Sequence, residues 1–286
     1  MQVIDNCEEL FDFAQESRAQ GLKIGFVPTM GALHRGHLSL VLAAKQKCDL
    51  VVVSVFVNPL QFNNPLDFER YPRDLAHDLS LLENSGVALV FSPSEDEMHP
   101  KPMQIGFRVE GISEGLEGKF RPGHFDGVAN VVGKLFNCIG PATAFFGEKD
   151  YQQVKVINRL VREFHFPIEI FVVPTLREVD GLAMSSRNLL LTPRARKAAA
   201  GIYAAFSFGR GLAIQNEPSD EVLESMTNIL IDRAGGEGAQ CKVDYVAHVR
   251  GESLEEISLF EDGSRFFIAA SYDGVRLIDN IGVFDK

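Results

Sequence analysis

Three stretches of the sequence gather side chains able to handle phosphate and carboxylate groups. The first is GFVPTMGALHRGH, Gly25 to His37, where a strand ends at Pro28, a Thr-Met-Gly turn follows, and a helix opens near Gly36. A helix N-terminus beyond the carboxyl end of a strand offers free N–H groups and partial positive charge to an anion. His34 and His37 flank that end, and each can donate to a phosphate oxygen. The second stretch, FFGEKDYQQVKVI, Phe145 to Ile157, passes from a strand through Gly147 into a helix. Lys149 brings a flexible ammonium suited to triphosphate charge, and Asp150 is a candidate helix cap. The third, PTLREVDGLAMSSRN, Pro174 to Asn188, is a polar connection carrying Ser185, Ser186 and Arg187, each able to hold phosphate oxygen, the arginine by its planar fork. Such a connection, if mobile, is where a closing lid would carry its ligands. Taken singly, each stretch has a bland reading: surface or core histidines, a solvated lysine, a capping serine pair beside a solvated arginine. Position after a strand and a Thr-Met-Gly turn tips the first toward function.

Two amides stand at the same strand edges: Gln61, after the apolar strand in VNPLQF, and Gln153, on the helix that Lys149 precedes. A neutral amide can hold a hydroxyl or carboxylate, although glutamine at a helix start is usually solvent-facing. Val128, Val131, Val132 and Leu135 fall on one helix face, with core packing as the default and an apolar substrate wall as the lesser option. FRPGHFDG, Phe120 to Gly127, reads as a turn in which Arg121 and His124 are either anion contacts or plain loop residues. No HExxH pattern or Cys/His cluster completes a metal ligand set.

These residues need a scaffold that brings strand ends together. Apolar runs predict strands at Lys23–Val27, Leu50–Val57, Val87–Phe91, Ala144–Phe146 and Ile168–Val173, alternating with helices at Gly36–Cys48, Pro72–Ser85, Phe125–Cys138 and Asp150–Phe164. The alternation implies a Rossmann-like doubly wound parallel sheet over residues 1–175. From 176 to 286 the order changes to a polar loop, a helix starting at Pro193 and running to about Ile214, a second over Ser219–Ala234, a break at Gly235-Gly236 and several strands, which implies a smaller α+β domain.

The 286 residues include 28 Lys and Arg against 39 Asp and Glu, a net charge of −11, which argues against a general nucleic-acid binder. The longest apolar run, Leu50 to Val57, is far short of the roughly 20 residues a membrane span needs. The N-terminus is acidic where a signal peptide would be basic, and the cysteines Cys7, Cys48, Cys138 and Cys241 lack CxxC spacing; the expected setting is cytoplasmic, with reduced thiols.

Taken together, PTMGALHxGH, FVNPxQF, YPR, LEG, RPGHFDGV, FFGEKDYQQ and VPTxREVDGLAMSSRN, in this order from Pro28 to Asn188, resemble the pantoate:β-alanine ligase (pantothenate synthetase) family over nearly the whole chain. The first motif also belongs to the wider nucleotidyltransferase superfamily with its HIGH-type signature. The resemblance implies ATP-dependent condensation of pantoate with β-alanine through a pantoyl adenylate, releasing pyrophosphate and AMP, with the C-terminal domain as a lid. It implies that His34, His37, Lys149, Ser185, Ser186 and Arg187 bind the triphosphate and stabilise the transition state. Pro28, Thr29, Gly147, Asp150 and Leu176 would line the adenosine side, with Met30 and Met184 also among the ATP-binding residues. Gln61 and Gln153 would orient pantoate, with Met30, Val131 and Val132 walling its gem-dimethyl group. Mg2+ would be held chiefly by ATP phosphates, with Asp78 in an outer-shell role, and the chain would form a homodimer through its N-terminal domain. Departures from the family pattern are Leu60 in place of Thr, Arg35 and His77 in place of acidic residues, and an NNPLDF loop lacking the acidic residue before Asp67. Two rival readings keep the fold: a nucleotidyltransferase that retains the nucleotide in its product, and a non-catalytic nucleotide-binding module, which would be expected to lack Lys149 or one of the histidines.

Overall fold

A computed structural model of the chain describes residues 1–285, the side chain of Leu66 excepted. It divides into two compact units: Met1–Glu148 with Gln152–Pro174, and Lys149–Tyr151 with Thr175 onward. The segment Lys149–Tyr151, read from sequence with the first domain, groups with the second unit. The cause is local: Asn280 Nδ2 donates to the Lys149 carbonyl at 2.8 Å, and the Arg265 guanidinium lies 4.2 Å from the Tyr151 ring centroid.

The first unit runs β1 (Gln2–Ile4), α1 (Cys7–Ala19), β2 (Ile24–Thr29), α2 (Arg35–Lys47), β3 (Leu50–Val55), α3 (Pro65–Arg70), α4 (Leu75–Glu83), β4 (Leu89–Phe91), α5 (Glu95–Met98), α6 (Leu116–Phe120), α7 (His124–Ile139), β5 (Ala142–Gly147), α8 (Tyr151–Phe164) and β6 (Ile168–Val173). All six strands are parallel, in the order β1-β4-β3-β2-β5-β6. Successive side chains point to opposite faces of the sheet. Phe26, Val52, Phe91 and Phe146 enter one core with α1, α7 and α8, while their neighbours Val27, Val53, Val90 and Phe145 enter another with α2 and Leu82 of α4. The sheet is therefore doubly wound, and the strand order reverses between β2 and β5. Their pairing is registered only at Gly25–Thr143 and Phe26–Ala144, so the last residues of β2 and β5 are not laddered together. An opening at the carboxyl ends of the strands where the order reverses is where such sheets bind ligands.

The second unit holds α9 (Pro193–Ala199), α10 (Gly201–Ile214) and α11 (Ser219–Gly236), followed by an antiparallel sheet β7-β8-β9 (Cys241–Arg250, Ser264–Tyr272, Val275–Gly282). Phe206, Met226, Phe266, Ile268 and Tyr272 anchor its core. Among the described residues no helix is long and apolar enough to cross a membrane.

Several boundaries differ from the sequence reading. β2 continues through Pro28, which pairs with Ser54, to Thr29. β1 and α1 did not stand among the expected elements, although Asn6 caps α1 reciprocally with Glu9: the Asn6 side chain accepts from Glu9 N and donates to Glu9 Oε1, each at 2.8 Å. The helix from Pro193 is interrupted at Ala200, before Gly201, whose backbone freedom disfavours helix. Gly235 and Gly236 lie inside α11 instead of breaking it; the chain turns at Gly238, where φ is +67°.

Candidate active site

Beyond β2 the chain makes the turn that the sequence expects to face phosphate. Thr29 Oγ1 donates to the Ser54 carbonyl at 2.8 Å and accepts from Gly31 N at 3.1 Å. Gly31 has φ +74°, and a Cβ there would lie 2.8 Å from Asp78 Oδ2, so only glycine fits. Asp78, buried on α4, accepts from Ala32 N at 3.0 Å and Leu33 N at 2.7 Å, one on each carboxylate oxygen. Burial raises its pKa, and the two backbone donors oppose that rise. Both oxygens of Asp78, expected from sequence in an outer-shell metal role, are engaged in shaping the turn. Among the described residues no group of three His, Cys, Asp or Glu side chains is placed to hold a metal ion.

His34 is the N-cap of α2. Its Nδ1 accepts from Gly36 N at 3.1 Å, and its own N–H donates to His37 Nδ1 at 3.3 Å, a reciprocal capping box built from two imidazoles. The ring centroids are 4.2 Å apart. A nitrogen that accepts carries no proton, so in the neutral form both rings are protonated at Nε2. The helix end thus has two imidazole N–H donors of fixed tautomer at its positive pole.

Gln61 closes a short 3-10 turn, Pro59–Gln61, after β3. Asn58 Nδ2 donates to Gln61 Oε1 and to the Gly127 carbonyl, both at 3.0 Å, and Gln61 Nε2 reaches Met30 Sδ at 2.7 Å. The Gln61 carbonyl accepts from His124 Nδ1 at 2.8 Å and Arg121 at 3.2 Å. Arg121 and His124, open between anion contacts and loop residues in the sequence, here hold the backbone of Gln61. Gly127 permits this approach, since a Cβ there would lie 2.3 Å from the Leu60 carbonyl oxygen. Asn58 and Gly127 went unremarked in the sequence, though both lie within quoted motifs. Val128, Val131 and Val132 belong to the core beneath, and α7 is buried nearly all round instead of on one face. Gln153 is half-buried on α8, whereas its neighbour Gln152 is buried and clasps the Ile112–Glu117 backbone with three hydrogen bonds.

In the second unit Lys149 lies in a 3-10 turn, Glu148–Asp150, with Nζ 3.3 Å from Asp150 Oδ1. The connection after β6 folds back on itself: Glu178 N donates to Leu182 O at 2.8 Å and Met184 N to Leu176 O at 3.0 Å. Arg177 fastens it to β9, donating to Asp279 at 2.6 and 3.2 Å. Burial raises the Asp279 pKa, while the Arg177 charge pulls it back. The connection, read from sequence as a place where a closing lid would carry its ligands, is fastened to the sheet of its own unit. Ser185 caps the following turn, its Oγ accepting from Arg187 N at 3.3 Å, with Ser186 buried beside it. Pro28, Thr29 and Met30 are half-buried at the end of β2, and Gly147 ends β5, where an added Cβ would meet no atom within 4 Å.

A family model described as pantoate-beta-alanine ligase matches residues 2–282. The chain belongs to the pantoate-beta-alanine ligase family. It is 45% identical over 281 residues to the pantothenate synthetase of Thermoanaerobacter sp. (strain X514), covering 98% of each chain. It is 47% identical over 266 residues to that of Thermus thermophilus, covering 91% of this chain and 93% of that one. A crystal structure of pantothenate synthetase from Thermus thermophilus matches with TM-score 0.90 at 44% identity over 100% of both chains. The pantoate-beta-alanine ligase of Francisella tularensis, crystallised with beta-gamma ATP and beta-alanine, matches with TM-score 0.82 at 38% identity, covering 100% of this chain and 99% of that one. Within the pantoate-beta-alanine ligase fold, the departures noted in sequence fall largely on the surface. Arg35 and His77 are exposed near the starts of α2 and α4, and Leu60 is also exposed. In the NNPLDF loop, Phe68 packs against Phe62 and beneath Arg73, while the side chain of Leu66 lies outside the described residues.

Proposed function

We propose that the protein is an ATP-dependent ligase that condenses pantoate with β-alanine to give pantothenate, AMP and pyrophosphate. The observation that carries this reading is the imidazole capping box at the start of α2, which commits both Nδ1 atoms of His34 and His37 to accepting backbone N–H. Two N–H donors of set tautomer, beside a helix N-terminus, suit charge developing on phosphate oxygen.

In the first step a pantoate carboxylate oxygen attacks the α-phosphorus of ATP and pyrophosphate leaves, giving pantoyl adenylate. His34 and His37 would donate to phosphate oxygens, Lys149 would neutralise triphosphate charge, and Ser185, Ser186 and Arg187 would hold further oxygens. Pro28, Thr29, Gly147, Asp150, Leu176 and Met184 would line the nucleotide. Gln61 and Gln153 would orient pantoate, with Met30, Val131 and Val132 walling its gem-dimethyl group. In the second step the β-alanine amine attacks the acyl carbon, AMP departs with the bonding electron pair, and the amine gives up a proton. Mg2+ entering with ATP would supply charge neutralisation, held by phosphate oxygens, an arrangement that suits the engagement of Asp78 by backbone donors. A homodimer formed through the first unit belongs to the same reading, as does a lid role for the second unit.

The test follows pyrophosphate and AMP separately with MgATP and pantoate, with and without β-alanine. About one pyrophosphate per site without β-alanine, and sustained release of both products only with it, is the expected result. Nucleotide retained in the product, or no pantoate-dependent pyrophosphate, would overturn the reading.

A further inference from the structure

The amide of Gln61 has two different ends, and the surrounding chain decides which one faces outward. Leu60 N donates to Asn58 Oδ1 at 3.3 Å, and Asn58 Nδ2 donates to the Gly127 carbonyl at 3.0 Å. A backbone N–H cannot accept and a carbonyl cannot donate, so these contacts fix the orientation of the Asn58 amide. The atom of Gln61 that faces Asn58 Nδ2 at 3.0 Å must then be the oxygen, which leaves its NH2 turned toward Met30.

The remaining neighbour of Asn58 Oδ1 is Nε2 of His99, 2.8 Å away. The amide oxygen has no proton to give, so His99 is the donor there and carries its proton on Nε2. Its Nδ1 is buried with no hydrogen-bond partner among the described residues. The ring is 3% exposed and packs against Phe56. Burial, reinforced by the Lys134 charge, pushes its pKa down to about 4, so the ring is neutral near pH 7.

We propose that His99 is a positioning residue for substrate selection: together with Leu60 N and the Gly127 carbonyl it holds Asn58, and through Asn58 it holds Gln61 so that the amide presents N–H donors, and no acceptor, to the carboxylate and hydroxyl oxygens of pantoate. The proposal rests on Gln61 being a pantoate-orienting residue. An amide free to turn would place its oxygen against a carboxylate in part of the population, and binding would weaken accordingly.

The test measures KM for pantoate, ATP and β-alanine separately, together with kcat, in the full-length enzyme. The variants are His99→Leu, His99→Gln, Gln61→Ala and the double variant Gln61→Ala with His99→Leu. His99→Leu is expected to raise the pantoate KM about tenfold and leave the ATP KM unchanged, with His99→Gln, which keeps a donor, restoring most of the loss. In the Gln61→Ala background His99→Leu should add nothing to the pantoate KM, a non-additivity that a merely structural role would not produce. Equal effects on pantoate and ATP, or full additivity with Gln61→Ala, overturn the role of His99. If Gln61→Ala itself leaves the pantoate KM unchanged, the reading of Gln61 falls; a Gln61 effect without a His99 effect removes the His99 proposal alone. Should His99→Leu not fold, nitrogen-15 NMR of the unaltered protein decides: a proton on Nε2 supports the proposal, and a proton on Nδ1 overturns it.

Discussion

The two regions proposed to bind ATP are positioned by different means. In the first unit the helix cap is built from partners close in sequence, Gly36 donating to His34 two residues back, His34 to His37 three residues on and Gly31 to Thr29 two residues back, with Asp78 supporting the turn from 45 and 46 positions away. In the second unit they are remote, with Asn280 holding the Lys149 carbonyl across 131 positions and Asp279 holding Arg177 across 102. A turn that caps its own helix carries most of its geometry in a short peptide. A lysine on a three-residue turn does not, and borrows its placement from a strand far along the chain.

Removing the remote anchor should have the largest effect. Asp279→Ala leaves the Arg177 charge, itself only 18% exposed, without its carboxylate, and should cost about 3–5 kcal/mol in urea unfolding. A loss well below that would mean the connection's own backbone bonds suffice, and the contrast between the regions would break. Lys149→Ala sharpens the contrast from the other side. It should slow pyrophosphate release by about 10³-fold in single turnover, on the scale of a lost preorganised charge contact, with the unfolding midpoint unchanged because the backbone carbonyl that Asn280 holds remains. Gly127→Ala tests the first unit: the added methyl meets the Leu60 backbone, and a stability loss of about 1–3 kcal/mol with a raised pantoate KM is expected in unfolding and kinetic assays.

The most gradual effect concerns pH. The His99 pKa falls from 6.5 to about 4 in the folded chain, so the unfolded chain binds a proton that the folded one refuses. Its contribution is complete above pH 6.5 and is lost as pH falls toward 4, at no more than about 1.4 kcal/mol per pH unit. His99→Gln should flatten that part of the stability profile, and an unchanged slope would place the titration elsewhere.

The same contrast explains what could be read from sequence. The doubly wound sheet was legible because short apolar runs, clearest in Leu50–Val55, alternate with helical patterns, and Ile168–Val173 matches the expected strand at both ends. The GALHRGH corner was legible because cap, turn and helix are contiguous. β1 escaped because three residues at a sheet edge give no periodicity, although the Asn6–Glu9 spacing could have announced α1. The part Asp78 plays in the turn was not legible, because it depends on which backbone the carboxylate meets, here that of Ala32 and Leu33 more than forty positions away. His99 carried no signal at all. A histidine before a proline reads as loop, and only burial against Phe56 and Asn58 gives it meaning.

Asp279 and Asn280 on β9 also set an order in time. During synthesis at about 5–20 residues per second, Lys149 emerges on the order of ten seconds before the asparagine that fastens its carbonyl. The histidine corner meets its own last support, Asp78, far sooner. A nascent chain would therefore acquire the imidazole pair early and the fixed lysine late.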